Sequence, residues 1–375
     1  NGKMPSLGEA YLNTRNRDIS EPINARCFIL LGDPALRLLS PEHHIVTTSI
    51  NGKNITSVTD TFPDTLKALD VVTISGEIRE EINGSTLTSF NGELYPTFFD
   101  KPSKYKTLGQ DAESFPIEFE EQNRIIYKGN ISIIDGKFSF QFIVPKDIAY
   151  NVAEGKLSYY AKDGLDHAGG TELTYKIGGT SDSIVSDTKF DDLQLFIDDE
   201  AWVFGGITST TPLLIANLLD SNGINTVGSG IGREMEAIID EGTENEQSLV
   251  LNDFYRPNLN SYQSGVLKYS FEPLSAGRHT VSLKVWDVYN NSADAYTEFV
   301  VTEGADIAVD NLLNYPNPFN NFTEFHFDHN KAGQNITANI IISTIAGNVV
   351  KSITSEIPNA SSHSSDIKWD GRDDY

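Results

Sequence analysis

One cysteine and one histidine pair carry the chemistry of a nucleophile and a base in this sequence. Cys27 is the single cysteine, and His43 and His44 follow it along the chain. A cysteine thiolate beside an imidazole base attacks carbonyl carbon and forms a covalent acyl intermediate. Cys27, however, lies in the apolar run at residues 26–31, where burial raises the pKa of a thiol and keeps it unreactive. We therefore interpret Cys27 as a core residue and predict no catalytic residue in this chain.

The histidine pair could also ligate a metal ion. Adjacent residues of a β-strand point to opposite faces of the sheet, and no third ligand stands at a suitable spacing from His43 and His44. We interpret both as surface histidines.

Acidic residues form three groups that could supply oxygen ligands to a cation. The groups are Asp191-Asp192, Asp198-Asp199-Glu200, and Asp370 with Asp373 and Asp374. Ca²⁺ takes about six to eight oxygen ligands, but none of the groups has the spacing of an EF-hand. Solvated acidic turns explain them, so we expect no cofactor, and a loop calcium ion is the one metal that the sequence leaves open.

Two further motifs invite a binding interpretation. Gly228, Gly230 and Gly232 are spaced like a phosphate-binding loop, but no buried strand of a βαβ unit precedes them and no Gly-Lys-Ser/Thr follows, so a flexible inter-strand loop is the preferred interpretation. Tyr95, Phe98 and Phe99 could form an exposed patch for a sugar or a protein partner, although core packing is the default for aromatic residues of a β-sandwich.

Charge and composition exclude several classes of protein. The chain has 28 Lys and Arg against 53 Asp and Glu, a net charge of -25, which repels nucleic-acid phosphate. A single cysteine excludes an internal disulfide framework. No apolar stretch approaches the roughly 18 residues of a membrane-spanning helix, so we expect neither nucleic-acid binding nor a membrane span.

Period-2 alternation dominates the sequence and indicates the fold class. Runs such as 71–78, 138–145 and 279–287 alternate apolar and polar residues, and Asn-Gly and Asp-Gly turns separate many of them. We predict a mainly β protein of tandem antiparallel, immunoglobulin-like sandwiches preceded by the last helix and strand of an α/β domain. The expected segments are residues 1–44, 45–178, 179–305 and 306–375.

The first and last of these segments carry boundary motifs. Residues 7–12 read as a helix, and the apolar run 26–31, followed by Gly-Asp-Pro, reads as a strand buried in a parallel sheet whose other strands would lie upstream. YPNPFN at residues 315–320 must be extended, because its two prolines exclude the helical region, and it should open the last module. WDGRDD at residues 369–374 suits a hairpin turn with no returning strand, so we expect both end modules to be incomplete.

These motifs resemble those of known families. YPNPFN and WDGRDD resemble the FlgD-like, immunoglobulin-type C-terminal domains of proteins handled by the Bacteroidetes type IX secretion system. SLGEA at residues 6–10 and FILLGDPALRL at residues 28–38 resemble the last helix and strand of gingipain-type, caspase-like cysteine peptidase domains. The segments at residues 223–234, 251–255 and 285–291 resemble the β-sandwich that follows the peptidase domain in the sortases of this secretion system.

The resemblance implies a function for the parent of this chain. Such sortases remove the C-terminal sorting domain from cargo proteins and attach the cargo to lipopolysaccharide through a thioacyl enzyme. Their catalytic histidine and cysteine lie upstream of the matching segments, so residues 1–44 would be the end of the peptidase domain and the chain would be inactive alone. The implied partners are an outer-membrane β-barrel of the system and cargo C-terminal domains, and the implied location is the cell surface.

Two alternatives remain open on the sequence. The chain could belong to a secreted gingipain-like protease that is itself type IX cargo, in which case the mature protein would be trimmed near Val309. It could also be a multidomain adhesin or carbohydrate-binding protein without an enzyme, in which case the aromatic residues near Pro96 would bind glycans.

Overall fold

The protein is built almost entirely of β-strands. The computed structural model describes residues 4–17, 29–38, 41–55, 64–111, 114–164, 166–181, 187–226, 232–302, 307–345 and 349–373. Strands make up 52% of the structure and helix only 4%, in several separate sheets. The predicted class of tandem antiparallel β-sandwiches is confirmed. Within the described residues, no helix is long and apolar enough to cross a bilayer.

The predicted N-terminal helix is present as α1 (Leu7–Arg17). Ser6 begins it with a capping box, in which the Ser6 hydroxyl accepts from the backbone N–H of Glu9 (3.2 Å) and the Glu9 carboxylate accepts from the backbone N–H of Ser6 (2.8 Å). The hydrogen bond from the Ser6 backbone N–H lowers the pKa of the Glu9 carboxylate, and the positive charge of Arg37 lowers it further. The helix docks on the Gly-Asp-Pro turn, since the Leu7 N–H donates to the Leu36 carbonyl (2.8 Å).

The strand predicted at residues 26–31 is not formed in the described residues. Residues 26–28 lie outside them, and residues 29–31 have no strand partner. Ile29 is 76% exposed and Leu31 is 91% exposed. A parallel strand is stable only when neighbouring strands and covering helices bury it, and no described strand takes that place.

The first β-region holds the largest sheet, in the order β10-β4-β1-β13-β12-β5-β8, with β2 beside β1 and β9 beside β5. A second, small sheet (β11-β14-β3) and the hairpin β6-β7 complete the region. Its strands are β1 (His43–Ile50), β2 (Lys53–Asn54), β3 (Thr65–Ala68), β4 (Val71–Arg79), β5 (Gly92–Phe99), β6 (Ser103–Lys106), β7 (Glu118–Glu121), β8 (Ile125–Lys128), β9 (Ile131–Ile133), β10 (Lys137–Ile143), β11 (Ala153–Glu154), β12 (Lys156–Asp163), β13 (Asp166–Glu172) and β14 (Lys176–Thr180). Alternate residues of β4 are buried, as its period-2 pattern predicts.

The second β-region is a sandwich of two sheets, in the orders β15-β17-β21-β20 and β16-β23-β22-β18-β19. Its strands are β15 (Asp192–Ile197), β16 (Ile207–Thr208), β17 (Leu213–Leu219), β18 (Glu236–Ile239), β19 (Gln247–Val250), β20 (Tyr255–Pro257), β21 (Ser264–Ser270), β22 (Gly277–Trp286) and β23 (Ser292–Val301), with a 3₁₀ turn at Asn252–Phe254. The predicted strand at 279–287 is β22, which pairs with β23 from Gly277 opposite Val301 to Trp286 opposite Ser292.

The third β-region has a three-stranded sheet, in the order β24-β25-β28, and the hairpin β26-β27. Its strands are β24 (Val309–Tyr315), β25 (Thr323–His329), β26 (Ile336–Ser343), β27 (Val349–Ile357) and β28 (His363–Trp369). YPNPFN does not open this region as predicted, because β24 precedes it. Tyr315 is the last residue of β24, and residues 316–320 form the bend that leads into β25, since the two prolines cannot continue a strand.

The two boundary motifs of this region meet in space. The rings of Phe319 and Trp369 lie 5.6 Å apart, and the Trp369 indole N–H donates to the Arg372 carbonyl (2.9 Å). Gly371 has a φ of 80°, and a Cβ there would lie 3.1 Å from the Phe319 ring. The two motifs therefore form one corner of the region, and the glycine is needed for both the turn and the close approach.

The first and second β-regions are joined by polar and apolar contacts. Lys128 forms an ion pair with Asp253 (3.0 Å), and the Asn260 side-chain oxygen accepts from the backbone N–H of Ser132 (2.8 Å). A small apolar cluster crosses the junction and consists of Leu69, Ile143, Val288 and Tyr289, with Tyr262 packed against them. The contacts come from several separate strands and loops, which favours one fixed arrangement of the two regions.

The second and third β-regions also share hydrogen bonds. The carboxylate of Asp199 accepts from both the hydroxyl (2.8 Å) and the backbone N–H of Ser362. The Asn330 amide donates to the Thr302 hydroxyl (2.9 Å). The third region is thereby anchored to the second at two points.

Candidate functional site

Most of the residues singled out in the sequence have structural roles or lie outside the described residues. Cys27 is among the residues that the structure does not describe, as are Gly228 and Gly230. His43 and His44 lie at the start of β1, where they pair with Ala168 and Gly169 of β13. The His43 ring contacts Phe90 edge-on at 6.3 Å. Nothing in the described structure brings these histidines into a group of three metal-ligating side chains.

The acidic groups proposed for a loop calcium ion are largely occupied by protein donors. The Asp198 carboxylate accepts from the Thr208 hydroxyl (2.6 Å), and Glu200 accepts from the Asn217 amide (2.9 Å). Asp370 accepts from the backbone N–H of Arg372 (3.1 Å), and Asp374 lies outside the described residues. These side chains order turns; the expectation of no cofactor, with a loop calcium ion left open by the sequence, stays a prediction.

The structure places the three aromatic residues weighed as an exposed patch, with core packing as the preferred interpretation, on two faces of β5. Phe98 is fully buried in the core, 4.9 Å from the Phe142 ring and 4.7 Å from the Tyr175 ring. Tyr95 and Phe99 flank it on the opposite face of β5, because neighbouring residues of a strand point in opposite directions. The Phe99 ring lies beneath the Lys156 ammonium (4.0 Å). A three-residue patch is therefore not formed.

Tyr95 instead belongs to a row of rings on the outer face of the first sheet. It stacks beside Tyr160 (6.2 Å), which stacks beside His167 (5.8 Å) and hydrogen-bonds its Nδ1 (2.6 Å). The Lys162 ammonium lies 5.4 Å from the Tyr95 ring. The members of this row lie on three strands, β5, β12 and β13, so no local sequence pattern indicated it. Only Tyr160, at 38% exposed, presents much of its ring to solvent.

A cluster of three carboxylates in the second β-region was also missed by the sequence analysis. Asp187, Asp220 and Asp287 bring their side-chain oxygens within 4.8 Å of one another, and the last two are completely buried. Asp187 precedes β15, Asp220 directly follows β17 and Asp287 directly follows β22. The three are far apart in the sequence, so no local spacing could have indicated the cluster.

Backbone and amide donors hold two of these carboxylates in place. Asp287 accepts from the backbone N–H of Asn291 and from its side-chain amide, both at 2.7 Å. The same amide donates to Asp187 (3.0 Å) and so bridges the two carboxylates. Asp220 accepts from the backbone N–H groups of Asn222 (2.9 Å) and Gly223 (3.1 Å).

Burial and the neighbouring carboxylates change the acidity of the cluster. Burial raises the pKa of Asp287 to about 7, and the neighbouring carboxylates of Asp220 and Asp187 act in the same direction. Burial likewise raises the pKa of Asp220, with the charge of Asp191 adding to the effect. Three carboxylates this close cannot all ionise without cost, so the arrangement can retain a proton near neutral pH. Carboxylate oxygens also suit a calcium ion chemically, but the hydrogen bonds above already use several of their lone pairs.

The shifted pKa of Asp287 predicts a pH-dependent stability. The folded-state pKa of Asp287 lies above the roughly 3.9 of a free aspartate, so between these two pH values the folded state binds more protons than the unfolded state. The contribution of Asp287 to the free energy of unfolding therefore falls as the pH rises. Asp287→Asn removes this titratable carboxyl group. The free energy of unfolding of the variant, relative to that of the wild type, should rise from pH 4 to pH 7 by at most about 1.4 kcal/mol per pH unit.

Denaturant titrations of both proteins across this pH range measure that difference. Asp192→Asn is the matched control, because Asp192 lies exposed on β15 and should leave the slope unchanged. A difference between Asp287→Asn and the wild type that stays constant with pH would contradict the account of the cluster.

No protein-family model matches this chain, and no curated protein matches it. Among solved structures, it is similar to dimeric latent PorU from Porphyromonas gingivalis, with 27% identity and a TM-score of 0.44 over 100% of this chain and 35% of that one. The chain thus spans about a third of the length of that protein.

Two other solved structures have lower scores. The native conformation of Escherichia coli alpha-2-macroglobulin is 10% identical over 90% of this chain and 21% of that one (TM-score 0.24). A structure concerned with host cell surface retention of a 1.5-MDa bacterial ice-binding adhesin is 12% identical over 88% of each chain (TM-score 0.19). At these TM-scores, none of the three similarities fixes a function for this chain.

Proposed function

We propose that this chain is the non-catalytic scaffold of a PorU-like, cell-surface cysteine peptidase of the type IX secretion system. In this proposal the full-length protein removes C-terminal sorting domains from cargo and attaches the cargo to lipopolysaccharide. The chain would contribute the end of the peptidase domain and a series of β-regions that carry that domain. The sequence motifs at both ends of the chain support the proposal, and one structural observation carries it.

That observation is the exposed apolar surface of the N-terminal segment, which consists of residues 4–17 and 29–38. The segment joins α1 to the Gly-Asp-Pro turn by backbone hydrogen bonds, yet many of its apolar side chains face solvent. The exposed residues are Met4, Leu12, Ile29, Leu31, Leu36 and Leu38. Burial of apolar surface contributes about 25 cal/mol per Å², so such a surface is expected to be covered by a partner. We propose that its cover is the peptidase domain whose closing elements the segment resembles.

The junctions between the β-regions support a scaffold role. The ion pair of Lys128 with Asp253 and the hydrogen bonds of Asp199 to Ser362 tie the three regions into a connected series. A series with contacts at each junction can hold a domain bound at one end at a fixed position relative to a partner bound at the other. The outer-membrane β-barrel partner and the cargo domains remain part of the proposal.

The proposal predicts that the chain alone has no peptidase activity. The substrate is a peptide spanning the junction between a cargo protein and its C-terminal sorting domain, and cleavage is followed by mass spectrometry. The chain and its Cys27→Ala variant should both leave the peptide intact, because a cysteine without a catalytic histidine is not activated. Cleavage by the chain that Cys27→Ala abolishes would overturn the proposal and place the nucleophile in this chain.

A further inference from the structure

Two histidines of the third β-region face each other across neighbouring strands. His326 lies on β25 and His363 begins β28, and the Nδ1 atom of His326 is 3.4 Å from the Nε2 atom of His363. Their ring centroids are 5.6 Å apart. The sequence analysis did not single out either residue, because they are separated by a hairpin and share no motif.

A buried carboxylate determines how His363 presents its nitrogen. The Asp328 carboxylate, which is 4% exposed, lies 2.6 Å from the Nδ1 atom of His363 and also accepts from the Asn311 amide (2.7 Å). The His363 Nδ1–H therefore donates to Asp328, and its Nε2 lone pair points away from the carboxylate. Metal-ligating histidines are commonly held in this way by a carboxylate on the second ring nitrogen.

The two ring nitrogens make a poor hydrogen bond with each other. Protein hydrogen bonds from N–H groups are usually about 2.7–3.2 Å long, which is shorter than the separation of His326 and His363. The Nε2 atom of His326 is buried and has no hydrogen-bond partner in the described structure, and it takes no part in the contact with His363. Buried polar groups are normally well satisfied, and the long contact with His363 satisfies the His326 Nδ1 atom only weakly.

The separation instead matches two ligands of one metal ion. Nitrogens bound to a tetrahedral zinc ion at about 2.0–2.1 Å lie about 3.4 Å from each other. We propose that His326 Nδ1 and His363 Nε2 form a binding site for a first-row transition-metal ion of the Zn²⁺ class, with Asp328 orienting His363. Two imidazoles suit Zn²⁺, Ni²⁺ and Cu²⁺ better than they suit Ca²⁺ or Mg²⁺.

The remaining coordination positions have two sources. Water can reach the site, because the His363 side chain is 29% exposed. Glu324 lies two residues before His326 on β25, and its carboxylate pairs with the Lys368 ammonium (2.8 Å). A site with two protein nitrogens and open positions binds metal more weakly than a closed structural site with four protein ligands.

Isothermal titration calorimetry with Zn²⁺ tests the site on the full chain after removal of any histidine tag. The wild type should bind one ion saturably. His326→Gln and His363→Gln should each weaken binding at least tenfold, and Asp328→Asn should weaken it by about 10–100-fold, as for other carboxylates that orient a ligand. His167→Gln is the control, because His167 bonds Tyr160 on the first sheet and should leave the affinity unchanged.

Histidine resonances in ¹⁵N NMR spectra of the wild type give a readout that does not depend on folding of the variants. Zn²⁺ should shift the imidazole signals of His326 and His363 selectively. Absence of saturable binding, or binding that neither glutamine variant weakens, would overturn the proposal. This inference does not depend on the proposed function, since it concerns metal binding and not peptide cleavage.

Discussion

Replacing Phe98 with alanine is expected to lower the free energy of unfolding of the first β-region by about 3–5 kcal/mol. Its side chain is completely buried and lies between the Phe142 and Tyr175 rings, at 4.9 and 4.7 Å. Truncation removes buried apolar surface and leaves a cavity that two large rings cannot fill without leaving their rotamers. Such a loss is a large part of the roughly 5–15 kcal/mol that stabilises a typical domain.

Equilibrium denaturation in guanidinium chloride measures this effect, and Phe99→Ala is the matched control. Phe99 is the next residue of β5 but lies on its opposite face, where it contacts the Lys156 ammonium (4.0 Å) and is only partly buried. Phe99→Ala should cost less than half as much as Phe98→Ala. Equal costs for the two substitutions would contradict the placement of Phe98 in the core and would restore the alternative of an exposed patch.

Replacing Asp100 with alanine is expected to cost about 3–5 kcal/mol, because it leaves a buried ammonium without its counter-ion. The carboxylate of Asp100 and the ammonium of Lys101 lie 2.8 Å apart, and their side chains are 1% and 4% exposed. Asp100 also accepts from the backbone N–H of Lys101 (2.9 Å) and lies 3.9 Å from the Arg124 guanidinium. Few water molecules can reach these groups to replace the lost partner.

Glu120→Ala is the control for this second substitution. Glu120 forms an ion pair with Lys104 at 3.9 Å, but both side chains are largely exposed, so the loss should stay within about 1 kcal/mol. Urea denaturation of the two variants and the wild type gives the comparison. A cost for Asp100→Ala as small as that for Glu120→Ala would show that water reaches the Lys101 ammonium.

The strands could be predicted from the sequence because alternation is a local signal. The runs at 71–78, 138–145 and 279–287 correspond to β4, β10 and β22. The helix at the N-terminus was also predicted, although the structure extends it to Arg17. Each of these elements is determined by residues within one short stretch, where the periodicity of the apolar side chains and the flanking turn residues indicate the same structure.

Contacts between distant segments could not be predicted in the same way. The carboxylates of Asp187, Asp220 and Asp287 come together only because β17 of one sheet and β22 of the other terminate at the same end of the sandwich. The histidines at positions 326 and 363 meet only through the pairing of β25 with β28. Strand order decides both clusters, and local alternation does not determine strand order.

Core packing, the preferred interpretation of the aromatic residues near Pro96, is confirmed for Phe98, because adjacent strand residues face opposite sides. Two other expectations were altered by the structure for physical reasons. YPNPFN does not open the last module, because β24 precedes it and the prolines end that strand. The apolar run around Ile29 remains exposed and unpaired in the described structure, and this surface underlies the proposed docking of a peptidase domain.

The most direct test of the scaffold proposal is the cleavage assay performed on the full-length protein encoded at the native locus, side by side with this chain. Both proteins receive the same peptide from a cargo junction. The proposal predicts that the full-length protein cleaves the peptide and that this chain does not. A folded full-length protein without activity, or a chain that cleaves the peptide through Cys27, would contradict it.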